Sequence, residues 1–185
     1  MPTPYETLDN PRFKFDTVDG YDQITIPAQR SYFVMAFLLF WLCGWTLGGL
    51  STIHSLMTKG FQPFLFFWLG GWLFGECMVL AVLAWQLTGA EILRLVGTDL
   101  EVGYRILGLT RRKLYRGADI RDFVACDARP LGQSNQLQLP VLMSNKFGSA
   151  KFAYGARTVY LAAGLDEAEG QIIVESLRKR LQGAV

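Results

Sequence analysis

The chain has 185 residues, of which 51% are hydrophobic, and a formal net charge of +2 at pH 7. This length accommodates a two-helix membrane hairpin and one further domain of about a hundred residues. The small net charge gives no reason to expect a nucleic-acid partner. The spacing of Cys43, Cys77 and Cys126 matches neither a zinc or haem motif nor a secreted disulfide framework.

In the N-terminal segment, residues 1–30, the first 20 residues are rich in proline, aspartate and turn-forming residues, which predicts an extended or irregular conformation for them. Ile24 and Ile26 alternate with polar neighbours, so we expect one short strand that ends at Pro27. Arg30 and Tyr32 follow, a positive charge and an aromatic ring of the kind found at membrane interfaces. Because this polar segment precedes the first apolar run, no cleavable signal peptide is predicted.

Two long apolar runs lie between Tyr32 and Gln86, separated by the short polar break HSLMTKGFQP. Each run exceeds the roughly 20 residues that a helix needs to cross the hydrocarbon core of a bilayer. Glu76 is the one charged residue within the runs. A soluble domain of this size would rarely need two helices that are apolar on every side. Residues 31–88 are therefore predicted to form an antiparallel transmembrane helical hairpin.

Each apolar run contains two glycines four residues apart, Gly44 and Gly48 in the first and Gly71 and Gly75 in the second. Such pairs leave a smooth stripe on which a neighbouring helix can pack closely. In an antiparallel hairpin both pairs fall near mid-membrane. We expect them to pack the two helices together, with docking on another membrane subunit as the alternative.

Two polar residues of the hairpin are candidates for a function. An intramembrane carboxylate is costly, so Glu76 should be protonated or partnered, and the antiparallel register makes the Thr46 hydroxyl its expected partner. His54, the sole histidine, lies about 15 Å from Glu76 along the helix axis, which does not favour a proton relay between them. One imidazole supplies one axial ligand to a haem or chlorophyll-type metal, so we expect a solvated His54 and no cofactor or metal.

The positive charges predict the orientation of the hairpin. Lys59 is the one charge near the loop between the runs, whereas basic residues flank the hairpin on its other side: Arg12, Lys14 and Arg30 before it, and Arg94, Arg105, Arg111, Arg112, Lys113 and Arg116 after it. Lys and Arg are retained preferentially on the cytoplasmic side, which predicts that both termini are cytoplasmic.

A basic cluster, Arg111, Arg112, Lys113 and Arg116, is predicted to contact anionic lipid headgroups. A juxtamembrane positive charge attracts an anionic membrane with about 1 kcal/mol. The alternative is a solvated strand face that only enforces the topology.

Residues 89–185 show the alternation of a β-rich domain. The predicted strands are seven: Glu91–Val96, Leu100–Leu107, Arg111–Tyr115, Ile120–Cys126, Gln136–Met143, Ala150–Tyr154 and Thr158–Ala162. A capping box, with Asp166 as N-cap and Glu169 three residues later, then starts an amphipathic helix that ends at Gly183.

Seven strands followed by one helix is the layout of a pleckstrin-homology-like (PH-like) barrel. The stretch KFAYGARTVYLAAGLDEAEGQIIVESLRKRL also resembles the end of bacterial membrane proteins that have a two-helix transmembrane hairpin and a PH-like domain. The resemblance implies an α+β membrane protein in which a seven-stranded PH-like β-barrel or sandwich, capped by a C-terminal helix, follows the hairpin. It also implies location in the bacterial cytoplasmic (inner) membrane. The turn Gly97–Asp99 lacks the basic residues with which lipid-binding PH domains recognise phosphoinositides.

The sequence contains none of the common nucleophile, metal or phosphate-binding motifs, so we do not expect an enzyme. The leading hypothesis is a membrane scaffold or accessory subunit of a larger respiratory or photosynthetic complex. Its expected partners are other membrane subunits, membrane lipids and a possible second copy of the chain. The alternative is a small transporter or envelope-stress sensor that uses Glu76.

Overall fold

The structure is a computed structural model, and it describes residues 11–60, 62–126 and 148–182. Two strands, β1 (Lys14–Val18) and β2 (Tyr21–Pro27), precede two long helices, α1 (Tyr32–Lys59) and α2 (Pro63–Thr88). The elements after the helices are β3 (Ala90–Val96), β4 (Asp99–Ile106), β5 (Leu109–Tyr115), β6 (Ile120–Ala125), β7 (Ala150–Tyr154), β8 (Arg157–Leu161) and α3 (Glu167–Gln182).

Helices α1 and α2 have 28 and 26 residues and are long enough and apolar enough to cross a membrane. In the most apolar stretch of each helix, 6% of the residues of α1 and none of those of α2 are buried. A core helix of a soluble protein would be mostly buried there, so the two predicted helices are confirmed as exposed apolar helices.

The break between α1 and α2 is shorter than the polar segment HSLMTKGFQP from which it was predicted. Its residues from His54 to Lys59 continue α1, and Gly60 ends that helix with a φ of +84°, which glycine adopts without a Cβ clash. Pro63 is the first residue of α2, where its missing N–H removes no helical hydrogen bond.

Strands β1 to β5 form one antiparallel sheet in chain order, so the helix pair is an insertion between two neighbouring strands, β2 and β3. Ile24 of β2 lies opposite Leu93 of β3, and both are buried. The predicted strand that ends at Pro27 is present. Strand β1 was not predicted, because all five of its residues are exposed and show no burial pattern.

Strands β6, β7 and β8 form a second antiparallel sheet, and α3 packs on β6 and β7. Residues from both sheets and from α3, including Leu93, Leu100, Phe152, Leu161 and Ile173, share one buried core. Across the described ranges the chain forms two separate sheets with eight strands, whereas the sequence predicted a seven-stranded β-barrel or sandwich; no closed barrel is present in these ranges. Strands β1 and β2 come from the N-terminal segment and extend the first sheet beyond β3, so two of the eight strands lie outside the predicted C-terminal domain. The predicted strand Gln136–Met143 lies outside the described residues.

The predicted capping box of α3 is confirmed. The backbone N–H of Glu169 donates to Asp166 Oδ1 at 2.9 Å, and the backbone N–H of Asp166 donates to Glu169 Oε2 at 3.2 Å. Arg12 joins this helix start, since its guanidinium lies 2.7 Å from Asp166 Oδ2 and 2.6 Å from Glu169 Oε2. The N-terminal segment is thereby attached to α3.

Candidate functional site in the helix pair

Two tryptophans join α1 and α2 through reciprocal hydrogen bonds. Trp72 Nε1 donates to the carbonyl oxygen of Trp45 at 2.9 Å, and Trp45 Nε1 donates to the carbonyl oxygen of Trp72 at 3.4 Å. Trp41 stacks on Trp45 with ring centroids 4.4 Å apart. Each indole N–H thus has an acceptor on the other helix, and this pairing holds the two helices in one register.

Glycines leave room for these rings between the helices. The closest approach is at Gly49, which is not one of the glycines predicted to pack the helices. A Cβ on Gly49 would lie 2.1 Å from the Trp72 ring, and a Cβ on Gly75 would lie 3.6 Å from the Trp45 ring. Around Gly44, Gly48 and Gly71, no described atom beyond the adjoining residues and the backbone of the same helix turn lies within 4 Å of the Cβ position. For these last three glycines, the structure therefore does not show the predicted packing of α1 against α2.

The faces of Gly44 and Gly48 open instead onto an apolar groove of about 560 Å³. Phe40, Trp41 and Trp68 are among its lining residues. The alternative that the sequence left open, a glycine stripe for another helix, is compatible with this geometry. Gly49 was missed because it falls outside the four-residue spacing, although it immediately follows Gly48.

Glu76 and Thr46 meet between the helices. The Thr46 hydroxyl donates a 2.7 Å hydrogen bond to Glu76 Oε1, so the structure brings together the two residues that the antiparallel register paired. Glu76 Oε2 is buried and has no hydrogen-bond partner among the described residues. The pair therefore contains one unused hydrogen-bond acceptor in an apolar environment, where such an atom is costly.

His54 is exposed near the C-terminal end of α1, and its carbonyl oxygen accepts a hydrogen bond from the Thr58 hydroxyl. Within the described ranges, no three His, Cys, Asp or Glu side chains lie close enough together to hold a metal ion.

The helix pair is fixed to the sheets at a junction that the sequence did not reveal. Gln86 is buried, and its Oε1 accepts a hydrogen bond from the backbone N–H of Ser31 at 3.3 Å. The backbone N–H of Ala28 donates to the carbonyl oxygen of Gly89 at 2.9 Å. Arg30 donates to the carbonyl oxygen of Leu87 at 3.3 Å. The beginning of α1 and the end of α2 therefore lie side by side against the first sheet.

Glu91 lies just beyond this junction, buried on the core face of β3. Its Oε2 accepts a 3.0 Å hydrogen bond from the backbone N–H of Ala162, whereas Oε1 has no partner of ordinary hydrogen-bond geometry in the described chain. Burial raises the pKa of Glu91 to about 7, opposed by hydrogen bonding from the backbones of Ala162 and Ala163 and from Tyr104. Burial and the nearby Glu91 charge raise the pKa of Tyr104. The sequence does contain a sign of this buried carboxylate: Glu91 lies two residues before Leu93 and therefore on the same face of the strand.

The predicted basic cluster is spread over β5 and the residue after it. Arg111, Arg112, Lys113 and Arg116 are all exposed. Successive side chains of a strand point to opposite faces, so Arg111 and Lys113 lie on one face and Arg112 on the other. Arg112 Nη1 lies 3.5 Å from Glu101 Oε2, and Lys113 Nζ lies 4.9 Å from the centre of the Tyr115 ring. These side chains do not form one patch.

No protein-family model, curated protein or solved structure matches this chain. The resemblance to bacterial two-helix membrane proteins with a PH-like domain therefore stays a prediction from sequence, and the function must be argued from the geometry described above.

Proposed function

We propose that the chain is a non-catalytic integral membrane protein of the bacterial cytoplasmic membrane, in which the hairpin of α1 and α2 anchors a folded β-rich domain. The observation that carries this proposal is the exposure of two long apolar helices that pack on each other and leave their remaining apolar surface uncovered. Surface of this kind is stable in lipid and not in water.

The orientation follows from the junction and the charges. The contact between Ala28 and Gly89 holds the two ends of the hairpin at one place, so both ends emerge on the same side of the membrane. Lys59 is the one basic residue at the opposite end, and the excess of Lys and Arg near the sheets favours the cytoplasm for both termini.

The β-rich part is proposed to be an interaction module of PH-like type. Two antiparallel sheets around a common core, with a C-terminal helix packed on the second sheet, support this assignment. Its partner would be the cytoplasmic part of a larger membrane complex.

Within the membrane, the chain would serve as an accessory subunit of a respiratory or photosynthetic type of assembly. The groove beside Gly44 and Gly48 supports this proposal, because exposed glycines let a partner helix approach closely and the surrounding tryptophans offer a large apolar contact. Gly48 is a suitable probe since a Cβ there meets no described atom of α2 or of the sheets within 4 Å.

Native mass spectrometry of the tagged protein, extracted from its own membrane in mild detergent, tests the proposal. We expect a stoichiometric membrane partner on the wild-type chain and at least tenfold less partner on the Gly48→Leu variant, since a close helix contact would be lost. Gly70→Leu, at an exposed position of α2 outside this groove, is the matched control and should retain the partner. A bare wild-type chain that carries only lipid would overturn the accessory-subunit proposal.

The second candidate function, a small transporter or envelope-stress sensor, is favoured by the unpartnered Oε2 of Glu76. Ionisable groups inside a membrane are frequently part of a proton or ion pathway. In this case Glu76→Gln would abolish activity while the protein still inserts and retains its partners. In the scaffold case the same variant leaves partner binding within about twofold of wild type, because an amide oxygen still accepts the Thr46 hydrogen bond.

A further inference from the structure

The hairpin turn between β4 and β5 exposes two leucines. Ile106 and Leu109 are the last paired residues, so Leu107 and Gly108 form a two-residue turn. Leu107 is 67% exposed and Leu109 is 76% exposed. We call Leu107, Gly108 and Leu109 the leucine tip.

The leucine tip lies beside the end of α2. The backbone N–H of Leu107 donates a 3.0 Å hydrogen bond to the hydroxyl of Thr88, the last residue of that helix. Strand β3 begins directly after α2, and β4 returns antiparallel to it, with Arg105 opposite Ala90. The turn after β4 therefore points back toward the level at which α2 leaves the apolar helix pair.

The backbone conformation of this turn is unfavourable for leucine. Leu107 has a φ of +49° and Gly108 a φ of +81°, and two-residue turns with both φ values positive favour Asn, Asp or Gly at the first position. The turn between β1 and β2, at the other end of the same sheet, has the same signs of φ and follows that preference with Asp19 and Gly20. The turn conformation therefore does not explain a leucine at position 107, and its exposed apolar side chain suits an apolar environment better than an aqueous one.

Positive charges flank the leucine tip on both strands. Arg105 on β4 and Arg111 on β5 are exposed within a few residues of the turn, and Arg30 contacts the last turn of α2. At roughly 3.3 Å per residue, Arg111 lies about 10 Å from Gly108, and a long side chain can still reach headgroups from there. Lys113 lies about 17 Å away, twice the screening length of about 8 Å at physiological salt.

From this juxtaposition we propose that the leucine tip inserts into the lipid interface of the membrane that the hairpin spans. Leu107 and Leu109 lie among the upper acyl chains, and Arg105 and Arg111 bind anionic headgroups beside them. This inference rests on the proposed membrane anchoring. Of the predicted basic cluster, only Arg111 then contacts lipid, and Arg105 joins it. The leucine tip also gives the sheets a second attachment to the membrane, which fixes their orientation.

Site-specific fluorescence quenching in proteoliposomes tests the insertion. The full chain, with Cys43→Ala, Cys77→Ala and Cys126→Ser, carries one new cysteine with an environment-sensitive dye at Leu107, Leu109 or Leu114. The vesicles contain phosphatidylcholine, phosphatidylglycerol and a phosphatidylcholine spin-labelled high on its acyl chain. Leu114 is the matched control, since it is a 53% exposed leucine on the same strand. Because Leu114 lies about 20 Å from the turn, we expect roughly fivefold stronger quenching at Leu107 and Leu109 than at Leu114.

A dye at Phe40, on an exposed face of α1, distinguishes insertion of the leucine tip from membrane anchoring by the hairpin. Strong quenching at Phe40 together with equal, weak quenching at Leu107, Leu109 and Leu114 would overturn the insertion but not the membrane anchoring. Absence of quenching at Phe40 would overturn both. A tip that is shielded from water only in native membranes, and not in these vesicles, would assign it to a protein partner and likewise overturn the lipid proposal.

Discussion

At the scale of single residues, Glu91 links proton binding to folding. Its pKa rises from the ordinary value of 4.5 to about 7 because the folded protein buries its carboxyl group. Below pH 4.5 the carboxyl is protonated in the folded and the unfolded chain alike, so burial costs nothing extra. Between these two values the unfolded chain releases the proton while the folded chain retains it, and the folded state loses stability as the pH rises. The total loss is about 3 kcal/mol, and it is complete above pH 7.

We therefore predict that the apparent melting temperature of the purified full chain falls between pH 5 and pH 7, and that Glu91→Gln removes most of this fall. The amide does not titrate, yet its oxygen can still accept the hydrogen bond from Ala162. Thermal unfolding followed by circular dichroism in detergent measures the effect. Asp16→Asn, on the exposed strand β1, is the control and should keep the wild-type slope. A Glu91→Gln profile as steep as the wild-type one would show that another group titrates.

The sequence predicts only part of the environment of Glu91. The in-phase spacing of Glu91 and Leu93 places both on one face of β3, so the inward position could have been read from alternation alone. The hydrogen bond that the Glu91 carboxylate accepts could not be predicted in this way, because the donor, Ala162, lies 71 residues later on the other side of the core. In contrast, the pairing of Thr46 with Glu76 followed from helix geometry, since both lie on straight, adjacent elements.

At the scale of elements, the contact between α1 and α2 depends on one close approach. The ring of Trp72 occupies the position that a side chain on Gly49 would need, whereas Gly48 faces open space. The two neighbouring glycines therefore separate packing within the hairpin from packing on other molecules.

We predict that Gly49→Leu destabilises the helix pair by about 3 kcal/mol, because the Trp72 ring must move and lose its hydrogen bond to Trp45. Gly48→Leu is the matched control and should change the stability of the isolated chain by less than about 0.5 kcal/mol. Titration of the detergent-solubilised protein with sodium dodecyl sulfate, with tryptophan fluorescence as the signal, measures both. Equal loss for the two variants would contradict the register of the helices.

Elements were predictable where a pattern was long or chemically distinct. Two apolar runs specified α1 and α2, and Asp166 with Glu169 specified the start of α3. The break between the runs was placed too early, since polar residues such as His54 can lie in a helix that emerges from an apolar environment. Strand β1 was missed because an exposed edge strand has no buried face to create alternation.

At the scale of the whole molecule, the helix pair is an insertion in a sheet. The pairing of β2 with β3 joins residues on either side of both helices, for example Ile26 with Glu91, and this non-local contact has no local signature in the sequence. The division into an N-terminal segment, a hairpin and a C-terminal domain describes chain order. In space, β1 and β2 share the sheet of β3, and Arg12 attaches the same segment to α3.

The strand order determines which parts of the chain can lie on the same side of a membrane. Because β2 and β3 are neighbours, a membrane that α1 and α2 cross must leave β1, β2 and all later strands on one side and Lys59 on the other. The central proposal is a double crossing with both ends of the hairpin on the same side of the membrane, and the excess of Lys and Arg on that side favours the cytoplasm.

The most direct test is labelling of single cysteines by a membrane-impermeant maleimide in intact cells, in the variant with Cys43→Ala, Cys77→Ala and Cys126→Ser. We predict that Lys59→Cys reacts in intact cells, whereas Asp16→Cys and Asp119→Cys react only after the membrane is permeabilised. Reaction of Asp119→Cys at the same rate as Lys59→Cys in intact cells, or of Asp16→Cys and Asp119→Cys from opposite sides, would contradict the account.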